Sequence, residues 1–178
     1  MDPRLSPAVA HTLVPVVVID DAARATGLGH ALVAGGLPVA EVTFRTAAAR
    51  ASIEAMAAVP DLLVGAGTVR TPEQVTQAVE AGARYIVSPG LSEAVVRRCQ
   101  ELGVPVLPGA VTATEVQAAA ELGLGTVKFF PAETSGGAAA IKALAAPFGD
   151  ITFVPTGGIG PKNLADYLAA KAVVGVGG

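Results

Sequence analysis

The chain has 178 residues, of which 52% are hydrophobic and 15% charged, with a net charge of −3 and a mean hydropathy of +0.57. The acidic balance and the lack of any basic cluster exclude a nucleic-acid-binding role. No apolar run reaches the roughly 18 uninterrupted residues of a membrane span. The opening Met1-Asp-Pro-Arg-Leu5 has no basic region leading into an apolar stretch and does not read as a signal peptide. Cys99, the one cysteine, has no partner for an internal disulfide, which fits a reducing cytoplasm. For this length one domain, 1–178, is the expectation.

In chain order, 3–12 reads as a short helix. The run 13–19 reads as a buried strand, and Asp20-Asp21 caps a helix over 22–34 that Gly35-Gly36 ends. A second strand covers 39–44, a helix 47–58 and a third strand 62–65. Thr71 caps a helix to residue 81 with Pro72 at its first position. Strand 84–88, a Ser92-capped helix 92–102, strand 104–107 and helix 114–122 follow. Then come the run Thr126-Val-Lys-Phe-Phe-Pro131 and a helix over 137–146. Strand 152–154, helix 163–170 and strand 173–176 complete the series. Apolar strands alternating with helices argue a parallel sheet covered by helices, and eight such units argue a closed (β/α)₈ barrel. The alternative, an open doubly wound sheet, lacks its usual glycine-rich first turn, since Asp20-Asp21-Ala22 stands there. The chain stops at Gly178, directly after the eighth strand, so the eighth helix is missing and the sequence reads as C-terminally incomplete.

The 126–131 run carries a lysine in an otherwise apolar strand. By alternation Thr126, Lys128 and Phe130 face one side. A buried lysine is costly unless it is paired or neutralised; it either snorkels to water at the strand end or serves a site. The second strand puts Glu41 and Arg45 on one inward face, with Phe44 outward. Two opposite charges there form either a structural pair or part of a site. Gly65-Ala-Gly-Thr68 ends the third strand, where the glycines permit close approach and Thr68 supplies a hydroxyl. Ser88-Pro89-Gly90 and Leu107-Pro-Gly109 read as tight turns. The loops at Gly157-Gly158 and Gly177-Gly178 follow the last two strands, where such barrels commonly hold a phosphate; the plain reading is two ordinary turns. His11 and His30 lie away from any strand end, so no metal set is expected, and no Ser/His/Asp set appears.

A buried lysine beside a carboxylate and a cation suits Schiff-base chemistry. The amine must be neutral to attack a carbonyl, which requires lowering the ordinary lysine value of about 10.4 by about 3 units. Glu41 then serves as a proton carrier, and Arg45 with Thr68 holds a carboxylate beside the carbonyl. The motifs Glu41-Val-Thr-Phe-Arg-Thr46, Gly65-Ala-Gly-Thr68, Ile86-Val-Ser-Pro-Gly90, Lys128-Phe-Phe-Pro-Ala132 and Pro155-Thr-Gly-Gly-Ile159 resemble the class I 2-keto-3-deoxy-6-phosphogluconate aldolases, which also act on 4-hydroxy-2-oxoglutarate. The resemblance runs from about Val14 to Gly178. It implies a cytoplasmic homotrimeric barrel that needs no cofactor or metal and releases pyruvate from a keto-acid substrate. By it Lys128 forms the Schiff base and Glu41 is the acid/base. Arg45 and Thr68 hold the pyruvyl carboxylate, Pro89 and Phe130 line the substrate site, and Gly157, Gly158 and Gly178 take the phosphate. The chain departs from the family at Phe44, where leucine is commoner, and at Gly178, beyond which a serine usually helps hold the phosphate. A barrel using Glu41 as base without a Schiff base, and a non-enzymatic anion-binding or scaffold barrel ending at Gly178, are the alternatives. The preferred substrate among the phosphogluconate derivative, its C4 epimer and hydroxy-oxoglutarate stays open.

Overall fold

The computed structural model describes residues 2–178. Parallel strands close into a (β/α)₈ barrel. The first barrel strand is split at Pro15 into β1 (Leu13–Val14), which pairs with the last strand, and β2 (Val16–Val17), which pairs with the next. Proline has no N–H to donate, so the ladder toward the second barrel strand begins only after Pro15, whose carbonyl still accepts from Glu41 N–H at 2.8 Å. The ring continues through β3 (Val39–Thr43), β4 (Leu63–Gly67), β5 (Ile86–Val87) and β6 (Val106–Leu107). Lys128 bridges the next gap: its N–H donates to Pro108 O at 2.8 Å and its carbonyl accepts from Ala110 N–H at 2.9 Å. Then β7 (Thr126–Phe129) pairs with β8 (Thr152–Pro155), and single bridges Phe153–Val173 and Thr156–Gly177 join β8 to β9 (Val176–Gly177). Gly178 closes the seam by donating to Val14 O and accepting from Val16 N–H.

The helices are α1 (Ser6–Val9), α2 (Ala25–Ala34), α3 (Ala49–Ala57), α4 (Pro72–Glu80), α5 (Glu93–Glu101), α6 (Ala113–Glu121), α7 (Gly137–Ala145) and α8 (Leu164–Leu168). Their starts follow the caps. Asp21 caps a short 3₁₀ turn ahead of α2, while Thr71 and Ser92 cap α4 and α5. Thr112 forms a reciprocal capping box with Glu115 at α6. The first helix and the strands β5, β6 and β9 are shorter than the sequence predicts, while β4 runs on through Gly67. Among the described residues no helix follows β9, and none is long and apolar enough to cross a membrane.

Strand alternation sets the two sides of the barrel wall. In β3, Ala40 and Val42 face outward into a core shared with Ile53, Met56, Val95 and Cys99, and Phe44 packs against that core as the sequence predicts. A second outer core holds Val127, Phe129, Ile141, Phe153 and Tyr167, with Phe129 and Phe153 edge to face at 6.4 Å. Inside, Leu5 and Ala8 from the N-terminal segment pack against Val14, Val39, Tyr85, Val87, Leu107 and Val154 and plug the bottom. The charged groups of the interior stand above this plug. Cys99 is fully buried, and burial pushes its thiol up to about 12, so it acts as packing.

Candidate active site

The upper interior is built around two buried charges from opposite walls. Lys128 on β7 is 6% exposed and Glu41 on β3 is 3% exposed. Lys128 Nζ donates to Glu41 Oε1 at 3.2 Å and to Oε2 at 3.5 Å. Such a pair is tolerated in a low-dielectric interior because each charge offsets the desolvation of the other. The ammonium also lies 5.3 Å from the centre of the half-buried Phe130 ring, within cation–π range.

The space for this pair comes from glycines in β4. Glu41 lies in register with Gly65 and Thr43 with Gly67. A Cβ on Gly67 would sit 2.6 Å from Glu41 Cγ and 2.8 Å from its Cδ, while one on Gly65 would overlap the ring of Tyr85. The glycines therefore make room for side chains crossing the barrel, which is why β4 continues as strand where the composition suggests a turn. Tyr85 fills the floor. Its hydroxyl donates to Ala40 O at 2.8 Å, and burial, with the nearby Glu41 carboxylate adding to it, holds the phenol well above its ordinary range and so neutral.

Arg45 and Thr68 meet at the rim, where Arg45 Nε donates to Thr68 Oγ1 at 3.3 Å. Arg45 is exposed, lies beyond the end of β3, and bonds Thr68 rather than either member of the buried pair. Thr68 has φ of +56°, a left-handed conformation that a β-branched residue adopts only under strain of about 1–3 kcal/mol, and such strain gathers at functional sites. Pro89 is half-buried in the turn after β5, whose Ser88 hydroxyl donates to Gly90 O at 2.9 Å. Gly157 and Gly158 form the turn after β8 with φ of +101° and +75°. The Phe130 ring approaches the Gly157 position closely enough that an added Cβ would touch it at 3.4 Å, which ties this turn to the lysine strand. Gly178 is beside the same turn through the Thr156–Gly177 bridge, but its N–H is engaged with Val14 O. His11 and His30 are exposed and remote.

The chain from residue 7 to 178 matches the family model described as "Aldolase: KDPG and KHG aldolase". The KHG/KDPG aldolase of Escherichia coli (strain K12) is 46% identical over 167 residues, covering 93% of this chain and 78% of that protein. The chain belongs to the KDPG and KHG aldolase family. Two solved structures are similar throughout. The 2-keto-3-deoxy-6-phosphogluconate aldolase of Zymomonas mobilis ZM4, solved with 3-phosphoglycerate, is 42% identical with a TM-score of 0.93, over 98% of this chain and 85% of that one. The KDPG aldolase of Legionella pneumophila, with pyruvate captured at low pH as a covalent carbinolamine intermediate, is 40% identical with a TM-score of 0.91, over 94% and 82%.

Within this family fold, three polar residues of the site were not singled out by their motifs. Thr43 shares the inward face of Glu41, is 1% exposed, and its hydroxyl has no partner among the described residues. Period two places it there, but nothing local distinguishes it from a packing threonine. Thr156 is buried on β8's inward parity, and its hydroxyl crowds the position where a Cβ of Gly177 would stand. Tyr85 shows in sequence only as the inward partner of a glycine on the neighbouring strand, a pairing that needs the β4–β5 register to be seen.

Proposed function

We propose that the chain is a Schiff-base aldolase that cleaves 2-keto-3-deoxy-6-phosphogluconate to pyruvate and glyceraldehyde 3-phosphate, and 4-hydroxy-2-oxoglutarate to pyruvate and glyoxylate. The observation that carries this reading is the 3.2 Å contact between Lys128 Nζ and Glu41 Oε1 inside the barrel. The names of its relatives support it, as does the covalent pyruvate adduct of the Legionella enzyme.

In this reading the Lys128 ammonium first passes a proton to the Glu41 carboxylate, and the neutral amine then attacks C2 of the keto acid, giving a carbinolamine. Glu41 in its acid form protonates the departing hydroxyl, water leaves, and a protonated iminium remains. The resulting carboxylate takes the proton of the C4 hydroxyl. The C3–C4 bond breaks, its electron pair moves into the C3–C2 enamine, and the aldehyde departs. Protonation at C3 and hydrolysis of the iminium release pyruvate and restore the amine. One carboxylate 3.2 Å from the nitrogen is positioned to serve these proton transfers in turn. Arg45 and Thr68 hold the substrate carboxylate at the rim, Arg45 by charge-assisted bonds. Pro89 and the Phe130 ring line the path. The Gly157–Gly158 turn, with Gly178 at its edge, takes the phosphate ester. No cofactor or metal has a step in this scheme. The single domain expected from length, the cytoplasmic location that the lone cysteine fits and the homotrimer implied by the family resemblance belong to the same proposal, and light scattering at working concentration reads the subunit number directly.

The decisive experiment adds pyruvate and borohydride to the folded protein and maps the product by peptide mass spectrometry. A permanent adduct on Lys128 is expected; a folded protein with no adduct there refutes the scheme.

Gly67→Ala is a second expected result. The added Cβ pushes the Glu41 carboxylate away from Nζ. Misplacement by about 1 Å costs about 10²-fold in rate, and overpacking costs about 1–3 kcal/mol of stability. Pyruvate release is therefore expected to fall by about 10²-fold while borohydride still traps Lys128. Unchanged turnover in a folded Gly67→Ala protein would show that the position of Glu41 does not limit the reaction.

A further inference from the structure

The turn after β8 is held in an unusual way. Three successive carbonyls are all committed: Thr156 O accepts from Ala132 N–H at 2.9 Å, Gly157 O from Glu133 N–H at 3.1 Å, and Gly158 O from Asn163 Nδ2 at 3.0 Å. In a trans peptide the C=O and N–H point in opposite directions, and the only cis bond among the described residues is Phe130–Pro131. Fixing the Gly157 and Gly158 oxygens therefore turns the N–H groups of Gly158 and Ile159 the other way. Neither of those N–H groups donates a hydrogen bond among the described residues. Consecutive amides exposed in this manner form an anion-binding concavity.

Two of the three constraints are main chain. The third is one side chain. Asn163 uses its amide at both ends, giving Nδ2–H to Gly158 O and accepting Gly160 N–H at Oδ1 at 2.8 Å. Because an amide has distinct donor and acceptor ends, this double bond to the loop fixes its orientation. The peptide between Gly158 and Ile159 is thereby locked with its N–H turned outward. The Glu133 side chain packs against Gly158, and its carboxylate accepts from the Tyr167 hydroxyl.

We propose that Asn163 is a specificity-determining positioning residue: by locking the Gly158–Ile159 peptide it shapes the cradle for a phosphate ester, and it sets the preference for phosphorylated over unphosphorylated keto acids. This rests on the phosphate reading of the Gly157–Gly158 turn given above. Asn163 acts through the loop and not on the substrate, so its effect falls on one substrate end alone. The keto-acid end, at Lys128, Glu41, Arg45 and Thr68, is untouched.

The test is steady-state kinetics of the wild type, Asn163→Ala and Asn163→Asp with 2-keto-3-deoxy-6-phosphogluconate and with 4-hydroxy-2-oxoglutarate. Loss of the Gly158 bond corresponds to about a tenfold rise in KM for the phosphorylated substrate, and Asn163→Ala, which loses the Gly160 bond as well, is expected to show at least that rise, with its kcat and the KM for hydroxy-oxoglutarate changed by less than about twofold. Asn163→Asp keeps the acceptor for Gly160 and the side-chain size but loses the donor to Gly158 and adds a negative charge that itself repels phosphate, so a split at least as large as that of the alanine variant is expected there. An equal rise for both substrates, or an unchanged KM for the phosphorylated one, overturns the proposal. Titration with inorganic phosphate, followed by amide NMR, separates it from the aldolase reading. Saturable shifts of Gly158 and Ile159 in the wild type, weakened in Asn163→Asp, support the cradle even in a protein that cleaves neither substrate. Absence of those shifts overturns it even in an active aldolase.

Discussion

Lys128→Ala is expected to release no measurable pyruvate from either keto acid, a loss of roughly 10⁴-fold or more, since the iminium is the electron sink for the whole bond-breaking step. The substitution has a second effect that must be separated from the first. Glu41 is 3% exposed and its charge is paired with Lys128. Removing one partner of a buried pair leaves the other uncompensated, at about 3–5 kcal/mol. A loss of activity in Lys128→Ala alone would therefore mix chemistry with folding. The pair Lys128→Met with Glu41→Gln removes both charges at nearly constant volume. Denaturant unfolding is expected to put this double variant close to the wild type, because replacing a buried ion pair by well-matched neutral groups is commonly neutral or stabilising. Its activity is expected to stay at the level of Lys128→Ala. A stable double variant that retained turnover would mean that the reaction does not pass through Lys128, and a barrel using another base would take its place.

Glu41→Gln separates the proton carrier from the nucleophile. Glutamine keeps the length and shape of glutamate and can still accept a hydrogen bond from Lys128, but it cannot take or give a proton at the carboxyl oxygen. General acid–base groups contribute about 10²–10⁴-fold, so kcat is expected to fall by that amount. The borohydride adduct at Lys128 is expected to form still, more slowly, because attack on the carbonyl needs the amine rather than the carboxylate. Single-turnover measurement of pyruvate release and of adduct formation on the same protein reads both quantities. A kcat within about tenfold of the wild type would leave Glu41 with a structural role only, as the charge that lets the lysine be buried.

Much of this arrangement is legible in the chain because strand alternation is local. Glu41 and Lys128 each stand in short apolar runs with a defined phase, and the phase alone turns both inward. Caps such as Thr71 and Ser92 also declare themselves by residue type and spacing. What is not legible depends on a neighbour far along the chain. Gly65 reads as the end of the third strand and Gly67 as lying past it, until the Tyr85 ring and the Glu41 side chain are seen crossing over them and β4 extends to Gly67. Pro15 reads as one member of a continuous strand, yet its missing N–H divides that strand between two partners. Arg45 and Thr68 read as joint holders of a carboxylate, but that Arg45 sits past the end of β3 and bonds Thr68 directly shows only in the fold. Gly178 reads as part of the phosphate cradle by its place after the last strand, and the seam bond that its N–H makes to Val14 O shows only in the fold. Asn163 reads as the start of a helix, and its side chain turns back to the preceding loop.

The seam carries a kinetic consequence. Leu13 and Val14 meet Val176 and Gly177, so the ring is completed by pairing segments from the two ends of the chain. The lysine and the glutamate are themselves 87 positions apart. Contacts of such separation return their free energy only after long loops have been closed, and chains rich in them fold slowly. While the ring is open, both charges remain hydrated and gain little from each other; once it shuts, the same act desolvates them and brings them together. Assembly of the catalytic pair is thus coupled to completion of the barrel, so the reactivity of Lys128 is expected to be gained only with the closed ring.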